Sequence, residues 1–109
     1  MQHRGYGKFI TPFQTTARRA AKFLFEREVQ ADFIYLDAGH QEEDVYEDLT
    51  GFWQVLRCHG VLMGDNYKPD ARPGLVRAVQ RFGEEIGQQP VICGVQGALQ
   101  FAFQKKPAN

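Results

Sequence analysis

Apolar and polar positions divide the chain into short apolar runs separated by helical stripes. Phe33-Ile34-Tyr35-Leu36 is an unbroken apolar run that stops at Asp37. Such a run, bounded by polar residues, predicts a parallel strand covered by helices on each side. Gly39 breaks it, and Gln41-Glu42-Glu43-Asp44 then places negative charge on a first helical turn, where the helix dipole favours it. Val45, Leu49, Phe52, Trp53 and Leu56 recur at helical spacing, with Trp53 read as a core residue. Gly60 ends this crossover and opens a second apolar strand, Gly60 to Gly64, which stops at Asp65-Asn66.

The flanking segments are read the same way. Lys8-Phe9-Ile10 reads as the end of a short strand before Pro12. Thr15 or Thr16 caps a helix running to about Glu28, with Ala17, Ala20, Ala21, Leu24 and Phe25 as its apolar stripe. After a polar loop from Lys68 to Arg72, Pro73 suits a first helical turn. Leu75, Val76, Val79, Phe82 and Ile86 form the next stripe, and Gly87 suits the position just past a helix end. Val91-Ile92-Cys93 is a short strand, and Gly94 and Gly97 allow a reversal. Leu99, Phe101 and Phe103 then alternate with polar or small residues, as in an antiparallel hairpin partner. The predicted order is α–β–α–β–α–β–β, with parallel strands ending in a hairpin.

Two of these strands end on a carboxylate. Asp37 and Asp65 lie twenty-eight residues apart, room for the one crossover helix that parallel neighbours require. They are expected on the same edge of one sheet, where open α/β sheets bind ligands.

Composition narrows the picture. The 109 residues make one domain, and 43% hydrophobic content supports a packed core. Thirteen basic residues balance thirteen acidic ones, so no global field draws the chain to nucleic acid or an anionic membrane. Arg18, Arg19 and Lys22, with Arg27 further along, read as a solvated helix face. Cys58 and Cys93 sit in no metal or redox motif and read as reduced structural thiols. No apolar run approaches the ~20 residues of a membrane helix. The start carries no apolar secretion core, so the expected location is cytoplasmic.

The stretch ADFIYLDAGHQEEDVYEDLTGFWQVLRCHGVLMGDNY, followed by PGLVRAVQRF, resembles the C-terminal half of a class I S-adenosylmethionine-dependent methyltransferase. The branch it is most similar to is that of small-molecule O-methyltransferases. The resemblance implies a partial Rossmann-like α/β fold. In it, these strands correspond to the family's fourth and fifth, and the terminal hairpin to its sixth and seventh. It implies S-adenosylmethionine as donor, a hydroxylated small molecule as acceptor, and donor contacts at Asp37 and Gly39. Asp37, Asp65 and Asn66 resemble positions that hold a divalent ion such as Mg²⁺ in metal-dependent members. His40, three residues beyond Asp37, is the candidate general base, with Asp37 beside it as a second catalytic candidate.

The family's glycine-rich donor loop has no counterpart here, since Gly5-Tyr6-Gly7 has no strand before it. That departure implies an inactive, truncated fragment of the domain. The competing expectation is a non-catalytic, self-associating α/β module. Either way, the strand 33–37 edge is expected to recruit a partner strand and form a homo-oligomer. A phosphoacceptor domain resembling response-regulator receivers fits less well, because its acidic pocket needs a carboxylate from an earlier strand and a later lysine. Tyr67, Lys68 and Arg72 lie on the loop where an acceptor would be gripped, against the alternative of a solvated loop. His3 and His59 read as surface residues.

Overall fold

In the computed structural model, residues 17–37 and 41–107 are described. The elements are α1 (Ala17–Glu26), β1 (Ala31–Leu36), α2 (Glu42–Val55), β2 (Leu56–Gly64), α3 (Pro73–Ile86), β3 (Val91–Val95) and β4 (Ala98–Gln104). The sheet order is β1-β2-β4-β3, with β1 and β2 parallel and both pairs involving β4 antiparallel. This is the predicted element order, a mixed α/β layer. No helix among the described residues is long and apolar enough to cross a membrane.

One continuous core forms between the helices and one face of the sheet. Ile34 and Leu36 of β1, Leu62 of β2, and Phe101 and Phe103 of β4 point into it. Val45, Leu49, Phe52 and Val55 of α2 meet them, as do Leu75, Val76, Val79 and Phe82 of α3. Helix α1 adds Ala21 and Leu24, and a β-carbon added at Gly51 of α2 would lie 3.1 Å from Ala21 Cβ. Close helix contact is what that glycine permits.

The second face differs from the sequence expectation. Phe33, Val61, Met63 and Ala102 are half-buried there, and Tyr35 is 41% exposed. All three helices of the described residues pack on the other face, so among the described residues no helix covers this side of β1. An apolar strand signals burial; it does not say what does the burying. Phe25, read as part of the α1 stripe, is 55% exposed, while the side chains at 17–20 lie outside the described residues. Helix α1 stops at Glu26, and Glu28 takes a left-handed φ of 59°.

The junction between α2 and β2 is the largest local departure. Leu56 belongs to β2, not to the helix stripe, and chain direction changes without a loop. The β1–β2 register then jumps from Ala31↔Leu56 to Phe33↔Val61, so β2 carries an irregular insertion around His59 (φ 72°). A β-carbon at Gly60 would lie 2.8 Å from the carbonyl oxygens of Arg57 and Asp32, which explains glycine inside the strand. Lys105 holds this corner. Its Nζ donates to Trp53 O at 2.8 Å and Leu56 O at 3.0 Å, and its backbone N–H donates to Gly60 O at 2.9 Å. Burial pushes this ammonium below the usual lysine range, while the nearby Cys58 opposes the shift.

Lys105→Ala therefore removes a cation that satisfies orphan carbonyls at a helix end. The expected loss is about 1.5–3 kcal/mol in urea unfolding, the usual size for hydrogen bonds to a charged group. Lys105→Met, which keeps the stem over Trp53, should lose nearly as much if the hydrogen bonds dominate. A full rescue by methionine would reassign the effect to packing.

The remaining boundaries follow from local chemistry. Pro73 lies in the first turn of α3, and Gly87 ends it at φ 75° with Gln88 N–H donating to Gly83 O at 2.9 Å. Gln96-Gly97 makes a two-residue reversal between β3 and β4, with Gly97 at φ 86°. Glu42 and Glu43 pair with Arg77 and Arg81 across the exposed α2–α3 surface, where such pairs contribute little.

Candidate functional site

The site is built by strand register. Leu36 pairs with Gly64 in the parallel β1–β2 ladder, so the next residues, Asp37 and Asp65, leave the sheet at the same rim. Asp37 is exposed and Asp65 half-buried. Gly39 and His40, the other donor-contact and general-base candidates, lie outside the described residues.

The turn after β2 fixes the second strand end. Asn66 adopts φ 64°, a left-handed conformation that asparagine tolerates, and its backbone N–H donates to Asp65 Oδ1 at 2.8 Å. One Asp65 oxygen is thus engaged by its own turn. Tyr67 N–H then donates to Leu99 O at 3.1 Å, tying the turn to β4. The Tyr67 ring is buried beside Phe101, centroids 6.4 Å apart, and Gln80 Nε2 donates to its hydroxyl at 3.5 Å. Tyr67 is therefore part of the core, not an acceptor-gripping loop residue. Lys68 and Arg72 belong to the connection into α3, closed by Arg72 N–H donating to Lys68 O at 2.7 Å.

Two further residues reach this rim that the apolar pattern does not single out. Tyr35 pairs with Met63, so alternation puts it on the same sheet face as Asp37 and Asp65. Gly64 pairs with Phe101, and one more step of that antiparallel register sets Asp65 across from Gln100. Gln100 Nε2 donates to Tyr35 Oη at 3.5 Å. Partial burial, and after it the Asp65 charge, raise the Tyr35 phenol above its usual value, with Asp37 adding a smaller push. The signal for both residues lies in the alternation of β1 and in the hairpin register. It becomes readable only with the pairing partners in place.

The rim offers two carboxylates, a phenol and the Gln100 amide on one face, with Asn66 in the turn that follows Asp65. These are hydrogen-bonding groups suited to a polar ligand carrying hydroxyls. As hard oxygen donors, Asp37, Asp65 and the Asn66 amide suit a divalent ion only with water or ligand oxygens completing the shell. Among the described residues, no three His, Cys, Asp or Glu side chains gather as a metal site. Nor do the described residues include a glycine-rich loop between a strand and a helix that would cradle a nucleoside donor.

Comparison with known proteins gives this geometry its context. No curated protein matches the chain. Among solved structures, the O-methyltransferase NovP superposes with a TM-score of 0.57 at 15% identity, over 72% of this chain and 31% of NovP. A candidate rRNA-methylase from Clostridium thermocellum gives 0.68 at 12% identity, over 91% of this chain and 59% of that one. A candidate SAM-dependent methyltransferase from Streptococcus mutans gives 0.59 at 9% identity, over 79% and 28%. At these identities the likeness is one of fold. The chain spans less than two thirds of the length of each. The methyltransferase-domain family Methyltransf_24 matches residues 1–67, the segment that carries both acidic strand ends and the crossover between them. By that match, covering more than half of its length, the chain belongs to the methyltransferase-domain family.

Proposed function

We propose that this chain carries the acceptor-side rim of an S-adenosylmethionine-dependent methyltransferase acting on a hydroxyl of a small molecule. The observation that carries the reading is the Leu36↔Gly64 register, which brings Asp37 and Asp65 to one rim of a methyltransferase-family sheet. The donor, when bound, supplies an electrophilic methyl group. The chain's own residues orient the acceptor: Asp37 and Asp65 accept hydrogen bonds from its hydroxyls and hold one toward the donor. His40 takes that hydroxyl's proton, a role suited to an imidazole titrating near neutral pH. Asp37 and Gly39 are the donor contacts in this reading. A divalent ion is the finer form of the reading, with Asp37, Asp65 and Asn66 as its protein ligands.

Titration calorimetry with S-adenosylhomocysteine is the direct test. The expected result is saturable binding that Asp37→Asn weakens about tenfold, the equivalent of one hydrogen bond to a charged group. Absence of saturable heat selects the non-catalytic, self-associating module. A parallel titration with Mg²⁺ decides the ion, which is dropped if no heat appears.

The rRNA-methylase neighbour makes RNA the competing acceptor, and it is the structure with the broadest overlap of the three. Balanced charge, thirteen basic against thirteen acidic residues, favours a small molecule, since RNA binding draws on phosphate neutralisation. Salt-sensitive binding to a single-stranded RNA would reverse that preference.

Self-association is part of the same proposal. Among the described residues β1 lies at one end of the strand order, the side on which another copy would add a strand. Light scattering at micromolar concentration is expected to give a dimer or larger species. A well-folded monomer there removes the edge-pairing idea.

A further inference from the structure

The sheet face turned away from the described helices ends at the rim in polar side chains drawn from three strands. Tyr35 comes from β1, Asp65 follows β2, and Gln100 comes from β4. Asp65 and Tyr35 share a face because Tyr35 pairs with Met63, two residues before Asp65. Gln100 sits across from Asp65 by the β2–β4 register. The phenol accepts from Gln100 Nε2 at 3.5 Å. The parallel register sets it diagonally beside Asp65, whose Oδ1 accepts from the backbone N–H of Asn66 at 2.8 Å.

We infer that Tyr35 is a positioning residue: together with Gln100 it holds the Asp65 carboxylate in the orientation that meets a ligand at the rim. The inference rests on the proposed role of that rim, but its geometry stands apart from any reaction. A strand-end carboxylate on a short turn has free rotation about its Cα–Cβ and Cβ–Cγ bonds. A backbone N–H alone fixes one oxygen, and a phenol on the neighbouring strand fixes the plane of the group. Because Tyr35 sits within a ladder, its ring inherits the rigidity of β1. Gln100 in turn restricts the phenol, so the terminal hairpin acts on Asp65 without touching a ligand.

The test uses the full chain with ¹³C-labelled tyrosine and aspartate, at one fixed neutral pH. The chain has four tyrosines, and Tyr35→Phe assigns the Tyr35 Cζ line by its disappearance. Asp65→Asn is expected to shift that line toward the value of a phenol donating to water. Gln100→Leu is expected to move it in the opposite sense, by removing the group donating to the phenol oxygen. Tyr35→Phe is expected to shift the Asp65 carboxyl line while backbone amides outside the rim stay in place. A role in packing alone would move the amides and leave the carboxyl line unaltered.

A Tyr35 line unchanged in Asp65→Asn overturns the inference. Should Tyr35→Phe fail to fold, the Asp65→Asn and Gln100→Leu shifts still decide it. S-adenosylhomocysteine titration of the same proteins separates the two claims. Wild-type chain that shows the coupled shifts but binds no nucleoside keeps the positioning relay and loses the methyl-transfer reading. Binding without coupled shifts does the reverse. With both intact, Tyr35→Phe should leave S-adenosylhomocysteine binding unchanged, since in this reading Asp65 meets the acceptor and not the donor.

Discussion

Phe103→Ala is expected to lower the free energy of unfolding by about 3–5 kcal/mol, the range for removing a large buried aromatic ring. Phe103 is 1% exposed and stands where β4 meets both α2 and α3. Its ring lies edge-on to Phe82 at 5.3 Å, to Trp53 at 6.4 Å and to Phe101 at 6.3 Å. Trp53 and Phe82 also meet edge-on, at 5.4 Å, so three rings from three elements close on one another. Edge-to-face pairs add to the burial of their area. A domain of this size has only ~5–15 kcal/mol of stability in total. The alanine variant is thus expected to be largely unfolded at moderate urea, where wild type stays folded. Trp53 is the sole tryptophan and touches the mutated ring, so its fluorescence reports the transition directly. Phe103→Leu keeps most of the volume and should lose roughly half as much or less. A loss below about 1 kcal/mol for the alanine variant would mean this cluster is not where the fold is held.

The parts of this fold legible in the sequence are those whose signals are local. Gly87 ends α3, Gln96-Gly97 lies inside the glycine-marked reversal, and Leu99, Phe101 and Phe103 alternate because turn chemistry and period are written within a few residues. The strand ends at Asp37 and Asp65 belong to the same class. The parts on which periodicity misleads depend on what lies opposite. Leu56 fits the α2 stripe by period, yet Lys105, nearly fifty positions away, takes the carbonyls of Trp53 and Leu56 and turns the chain there. Phe25 fits the α1 stripe by period, yet it is 55% exposed. Tyr67 reads as a loop residue until Phe101 is known to lie beneath it. The candidate site divides along the same line. Its carboxylates are visible as endings of apolar runs, whereas Tyr35 and Gln100 join it only through pairing of β1, β2 and β4.

Gly64→Ala links the core to the rim and carries the second large expected effect. Gly64 is buried, pairs with Phe101 across β4, and immediately precedes Asp65. An added β-carbon would drive into the far edge of the Phe101 ring and come within 3.1 Å of Leu36 O. The end of a flexible side chain could yield at little cost, but Phe101 is fully buried and flanked by Tyr67 and Phe103. The backbone oxygen of β1 cannot retreat without opening the parallel ladder. Overpacking of this kind is worth about 1–3 kcal/mol, readable as a lower urea midpoint. The strain should also reach the rim, because the strand that must shift is the one that delivers Asp65 and its turn. Amide resonances of Asp65, Asn66 and Tyr67 are therefore expected to move more than those of α3. Phe101→Leu supplies the decisive arm, since the smaller side chain vacates the space the new methyl needs. Each substitution alone should destabilise, and the pair should lose less than their sum, a coupling of opposite sign to simple accumulation of damage. Strict additivity would show that Gly64 is required for a reason other than this ring.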